Sequence, residues 1–384
     1  MLTDDLLATI RSRAARHDAE NTFPHEDLED LRAAGYLAAM VPTELGGAGL
    51  TLEEMTREQA RLAAAAPATA LAVNMHHVWV AVANFVRATG DDSCDFVLRE
   101  AAAGEIFAFG VSEPGNDLVL FASVSEARPD GVGGYTFHGL KIFTSLAPVW
   151  TRLGTFGTDA SGAEGADGPL NVWGFVTREG TEQVGEWDVL GMRASHSLGT
   201  KLDGAHAPAD RVVRRIPPGP TADPFVVGIF SAFETLLAAV YTGVAERAIE
   251  LATETVRKRT SLKNGGAPYS DDPDIRWRLA DAAIQLDSVR PQLVARAREV
   301  DAGFEVGPFT LPRFSAVKSR ATEVALDVVT KAVRVSGGGM YSNSNELSRL
   351  YRDVLAGLFH PSDDESVHGA WANALLGPVT PKES

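Results

Sequence analysis

Residues 334–364 read RVSGGGMYSNSNELSRLYRDVLAGLFHPSDD, and this stretch gathers the residue types best suited to chemistry. An apolar-periodic segment runs into Gly337, Gly338 and Gly339. With no Cβ in the way, the backbone at such glycines can approach a bound phosphate within hydrogen-bond range. A short amphipathic piece then ends at Arg352 and Asp353, and the following loop carries His360, Asp363 and Asp364. Imidazole changes charge near neutrality and carboxylates accept protons, so the loop offers acid–base chemistry. Upstream, His76 and His77 sit together in NMHHV, and His196 lies in LGMRASHS (190–197).

Three kinds of element must position these groups. Over 1–108 apolar residues recur at helical spacing, as in Leu28, Leu31, Leu37 and Met40. Thr51 is a predicted N-cap with Glu54 three residues on. Over 109–215 the pattern changes to short β-type runs separated by glycine, proline and aspartate, which predicts a small barrel or sandwich. Within it, 159–168 (DASGAEGADG) reads as a polar, mobile loop. Over 221–384 helical periodicity returns. Leu279, Ala282, Leu286, Val289 and Leu293 form one stripe, with a kink or break expected at Pro291; Val317, Val324, Val328, Ala332 and Val335 form another. The fold class is therefore α+β and multidomain: an N-terminal helical domain, a central β domain and a C-terminal four-helix bundle.

Bulk properties narrow the function. A chain of 384 residues exceeds one ordinary core. A formal net charge of −16 argues against nucleic acid or an anionic membrane as partner. No apolar run is expected to reach the roughly 20 residues that span a bilayer. The single cysteine, Cys94, excludes an internal disulfide and a cysteine-cluster metal site, and suits a reducing cytoplasm.

The α–β–α order and its motifs together resemble the acyl-CoA dehydrogenase superfamily over nearly the whole chain. FGVSEPGND (109–117) resembles the family's strand and turn that hold the flavin ring, with Ser112 as the hydroxyl. The turn is shorter than usual and lacks the serine that meets the CoA phosphate region. YTFHGLKIFTSL (135–146) resembles the second flavin strand, placing Phe143 against the ring and Ser145 near N5, where a donor tunes flavin electronics. His196 stands where relatives often carry an acidic residue, which implies a substrate contact. Arg259 matches an arginine that pairs with the flavin pyrophosphate of a neighbouring subunit, a role its fork suits. Leu262 replaces the phenylalanine that usually follows. Gly337 and Gly338 match glycines that approach the same pyrophosphate from the partner chain. The resemblance thus implies FAD rather than FMN, and a homo-oligomer, typically a tetramer.

It departs from the family at the catalytic base. Dehydrogenation of an acyl thioester needs a carboxylate to take the α-proton while hydride leaves the β-carbon. Counting on from Arg352-Asp353, the usual aromatic–glutamate pair is His360-Pro361, and proline accepts no proton. Some members place the base on the first helix of the C-terminal bundle. That position is Phe233, with Glu234 one residue on and rotated by about 100°. Glu234 and Asp363 are the remaining carboxylates, although SDDE also suits a helix cap.

A histidine here also resembles the superfamily's two-component flavin monooxygenases. They take reduced flavin, bind oxygen and attack an aromatic, amine or sulfur substrate, using histidine to supply a proton and orient that substrate. In this reading His360 is catalytic, and His76 and His77 line the site from the opposite side. Three functions follow from the resemblance. The first is dehydrogenation of an acyl-CoA or related thioester, with an electron-transfer flavoprotein as partner. The second is flavin-dependent monooxygenation of a small molecule, with a flavin reductase as partner. The third is flavin binding without turnover.

Overall fold

The computed structural model describes residues 1–161 and 168–379, so most of the polar loop expected at 159–168 lies outside the described residues. Helix α1 (Asp4–Glu20) starts at Thr3, whose hydroxyl accepts from the Leu6 amide. After α2 (His25–Ala33), helix α3 (Leu52–Ala65) opens with the capping box that Thr51 and Glu54 predict. Pro67 begins α4 (Pro67–Ala88), where its fixed φ suits the first helical turn. Helix α5 (Asp95–Ala102) closes this region.

The sheet runs from β1 (Phe107–Gly110) and β2 (Glu126–Pro129) through β3 (Tyr135–Thr144) and β4 (Arg152–Asp159) to β5 (Leu170–Val176). It continues with β6 (Thr181–Val184), β7 (Leu198–Ala207) and β8 (Val212–Ile216). It has eight strands in the order β6-β7-β3-β2-β4-β5-β8, with β1 parallel to β4 off that path. Against β7, strand β3 shifts register twice, the second time between Lys141 and Thr144. Bulges bend a strand and re-aim its side chains. This one turns Phe143 to φ 56°.

Helix α6 (Pro224–Lys258) spans 35 residues and packs on α3 and α4 as well as on α7 (Pro273–Ala302) and α8 (Thr310–Ser336). Short α9 (Glu346–Val354) and α10 (Asp364–Leu376) complete the bundle. One buried apolar cluster runs through helices and sheet alike.

Two expectations are corrected. Helix α7 continues through Pro291, so the break expected as the alternative to a kink does not occur. Proline 291 and Asp287, whose carbonyl loses its helical donor, both face solvent, where water can take the donor's place. Helices α4 and α6 are long and apolar enough to cross a bilayer, with mean hydropathy 1.2 and 1.7 over their most apolar windows. Both windows are 89% buried inside the molecule, so the core accounts for their composition.

Candidate active site

The end of β3 gathers the groups expected at a flavin ring. The Ile142 amide donates to the Ser112 carbonyl at 2.9 Å, which seats Ser112 beside the bulge. Phe143 is 61% exposed, so its ring is available to stack on a ligand. Ser145 is buried, and its Oγ lies 2.7 Å from Ser197 Oγ, itself 3.0 Å from Ser195 Oγ. This hydroxyl chain joins β3 to the turn before β7. An open aromatic beside hydroxyls that can donate or accept fits an isoalloxazine.

A second cluster forms where α6 ends. Arg259 Nη1 donates to the Ser336 carbonyl and its guanidinium stacks over Tyr269 at 4.9 Å. Gly337 has φ 83°, and a Cβ there would lie 2.5 Å from Arg259 Nη1. Only glycine suits that backbone beside that guanidinium. Gly338 is exposed and has open space where a side chain would be. Arginine and glycines drawn together by different helices fit a phosphate group.

The third cluster is the turn after α9. His360 is half-buried, with Nδ1 3.2 Å from Tyr241 Oη. Burial, with the Lys318 ammonium second, pushes its imidazole down to about 3, so it is neutral at neutral pH. Glu234 is buried one residue along α6 from Phe233, and its Oε1 accepts from the Ser362 amide at 3.0 Å and the Ser362 hydroxyl at 2.6 Å. Its Oε2 has no hydrogen-bond partner among the described residues, and burial raises its pKa. Phe233 stacks on Phe109 at 5.5 Å, and Trp79 meets Phe109 at 5.0 Å. Pro361 and Phe233, the two positions where dehydrogenases carry a base, are thus apolar.

Other expected site residues are placed elsewhere. His76 is a core residue, contrary to the expected substrate contact. Its Nε2 meets the Leu37 carbonyl at 2.8 Å, and its Nδ1 accepts from the Phe107 amide at 3.2 Å. His77 is equally buried, packed edge-on against Tyr36 at 4.8 Å, and neither ring nitrogen has a partner among the described residues. His196 turns its Nε2 to the Asn21 carbonyl at 3.0 Å and its ring edge to Phe23, which ties the sheet to α1 rather than to a substrate. Asp363 is exposed and caps α10, accepting from the Ser366 amide at 3.0 Å; as a base it is corrected to a cap.

Sequence reasoning missed Tyr241 and Lys318. Lys318 had a legible signal, since it stands on the apolar face of α8 in line with Phe314, Ala321 and Ala325. It also missed the buried Glu113–Lys141 pair, in which Lys141 Nζ approaches Glu113 Oε1 to 2.6 Å.

Comparison with known proteins gives the family. Residues 5–105 match the family model for the acyl-CoA dehydrogenase N-terminal domain, and residues 235–364 match that for the acyl-CoA dehydrogenase C-terminal domain. L-evernosamine nitrososynthase of a Micromonospora species is 31% identical over 92% of this chain and 85% of its own. Amino sugar nitrososynthase RubN8 of Streptomyces rubradiris is 29% identical over 93% of this chain and 84% of its own. The solved structure of KijD3 in complex with FMN and dTDP-3-amino-2,3,6-trideoxy-4-keto-3-methyl-D-glucose superposes with TM-score 0.85 at 28% identity, covering 99% of this chain and 93% of that one. By its fold and its relatives the protein is a flavin-dependent oxidoreductase. The chain belongs to the acyl-CoA dehydrogenase family.

Proposed function

We propose that this protein is a flavin-dependent N-monooxygenase that oxidises the amine of a nucleoside diphosphate-linked amino sugar. The observation that carries the reading is the substitution at the base positions. Phe233 and Pro361 leave no carboxylate there, and a neutral imidazole, His360, stands next to Pro361. The similarity to amino sugar nitrososynthases, and to a structure holding a dTDP-linked amino sugar, supports the substrate class.

In the overall reaction one oxygen atom of O2 forms the new N–O bond and the other leaves as water. Reduced flavin, when bound, supplies the two electrons and is released oxidised, so a separate reductase must renew it. The chain's own residues do the rest. Phe109, Phe233 and Trp79 form an apolar wall that excludes water. In this reading the linked hydroxyls of Ser145, Ser195 and Ser197 would hold the ring, and His360 would offer its imidazole to the substrate. The pairing of Arg259 with Gly337 supports FAD over FMN, because FMN has no pyrophosphate for them to hold. Homotetrameric assembly and a cytoplasmic setting complete the proposal and rest on the family resemblance and on Cys94.

Acyl-CoA dehydrogenation keeps one candidate base, Glu234, whose Oε2 is unpartnered. Its Oε1 is bound to the His360 turn, however, and its side chain is buried.

The test supplies the protein with a flavin reductase, NADH, ¹⁸O2 and a dTDP-linked 3-amino sugar. The expected result is a hydroxylamine or nitroso product carrying ¹⁸O. Bleaching of the oxidised flavin by any acyl-CoA under anaerobic conditions, with no labelled product, overturns the proposal.

A further inference from the structure

The turn that carries His360 is held by three buried groups, Tyr241, Glu234 and Lys318, of which Tyr241 meets the ring itself. Tyr241 is fully buried, and burial holds its phenol well above its ordinary range, so it keeps its proton. Among the described residues its hydroxyl has one partner, Nδ1 of His360 at 3.2 Å. A buried hydroxyl donates where an acceptor is in reach, so Nδ1 accepts. A neutral imidazole whose Nδ1 accepts carries its single proton on Nε2. Among the described residues Nε2 has no protein partner, which leaves that N–H for a ligand.

The backbone of the turn is fixed just as firmly. Glu234 Oε1 accepts from both the amide and the hydroxyl of Ser362. Because that hydroxyl donates to Glu234, it accepts in turn from Ser315 Oγ, 2.9 Å away. Lys318 Nζ donates to the carbonyls of Gly357 at 2.8 Å and Ser362 at 3.0 Å, and to that of His360. A carboxylate therefore takes the turn's N–H and an ammonium takes its carbonyls. Gly357 seats the turn on this base, since a Cβ there would lie 2.8 Å from Thr322 and 3.0 Å from the Tyr241 ring. The charged and titratable groups around His360 are thus Tyr241 and Glu234 from α6, Lys318 from α8, and Asp363 at the start of α10.

We propose that Tyr241, Glu234 and Lys318 are positioning residues that lock His360 as a neutral Nε2–H hydrogen-bond donor. This rests on the monooxygenase reading only for the identity of the ligand that Nε2–H meets. The consequence for that reading is specific. His360 donates a hydrogen bond to the bound substrate or cofactor and does not take a proton from it.

The test reads the ligand-free, full-length protein by ¹⁵N NMR of its histidine rings, with His360 assigned by loss of its signals in His360→Gln. The expected spectrum shows an unprotonated Nδ1 and a protonated Nε2 that persist from mildly acidic to neutral pH. Tyr241→Phe should yield a mixture of tautomers, and Glu234→Ala should speed hydrogen exchange of the Ser362 amide about tenfold, the worth of one lost hydrogen bond. Tyr241→Phe removes a single oxygen atom, so it carries the test even if Glu234→Ala does not fold. A protonated Nδ1 in the wild type, or identical ring spectra in wild type and Tyr241→Phe, overturns the proposal. In the oxygenation assay Tyr241→Phe should release about tenfold more of the consumed oxygen as hydrogen peroxide, with KM little changed. A correct tautomer without oxygenation of any amino sugar would refute the function and leave the lock standing.

Discussion

Lys141 Nζ lies 2.6 Å from Glu113 Oε1, and neither side chain reaches solvent. The pair is the anchor of the segment after Ser112. Glu113 also accepts from Ser123 Oγ at 2.6 Å, the Ser125 amide at 3.0 Å and the Val124 amide at 2.8 Å, while Lys141 donates to the Phe156 carbonyl at 2.8 Å. Burial alone would raise the Glu113 carboxyl, but Lys141 and these donors outweigh it and hold it down to about 2. The loop that follows β1 is therefore clamped to β3.

Replacing Lys141 by Met should cost about 3–5 kcal/mol, because it strands a buried carboxylate. Urea denaturation checks the magnitude. Glu113 also contributes acid sensitivity of known sign. Its folded value of about 2 lies below the ordinary 4.5, so its contribution is present above 4.5 and disappears as pH falls toward 2. The stability difference between wild type and Glu113→Gln should shrink across that window; a difference that stays constant with pH would contradict it.

Core histidines add a second window. Burial pushes His76 from 6.5 down to about 4, against the opposing pull of the Leu37 carbonyl. The unfolded chain then binds the proton more readily, so stability is full above 6.5 and is lost as pH falls toward 4. His77 is depressed in the same direction. Denaturation of His76→Gln measured over this range should show a flatter pH dependence than wild type.

Arg259→Ala should weaken FAD binding about tenfold or more, the worth of a charge-assisted hydrogen bond, and leave FMN binding nearly unchanged. Flavin fluorescence titration separates the two. Equal losses for both flavins would place Arg259 away from the pyrophosphate.

Asp363→Ala should cost about 1 kcal/mol through loss of the α10 cap. Oxygenation rate should stay at the wild-type value in the coupled assay. A large loss of turnover without loss of stability would return Asp363 to the reacting centre.

Local features of this fold were legible before any coordinates. Thr51 and Glu54 cap α3 as their spacing predicted, and α8 ends at Gly337, where the apolar stripe stops. Both depend on neighbours within a turn or two of helix. Pro291 misled because its effect depends on which face of α7 meets water. His76 misled because histidine on an apolar helix reads the same whether it faces a ligand or a backbone carbonyl.

Residue order settled the α–β–α arrangement, the glycines at the end of α8, the apolar substitutions at Phe233 and Pro361, and the presence of a histidine beside them. The arrangement follows from periodicity and spacing, and the substitutions from the family resemblance, both of which are carried by residue order. The state of that histidine was written nowhere along the chain. Its partners lie 119 residues away at Tyr241 and 42 away at Lys318. Burial and hydrogen bonding set protonation, and both arise only when distant segments pack together.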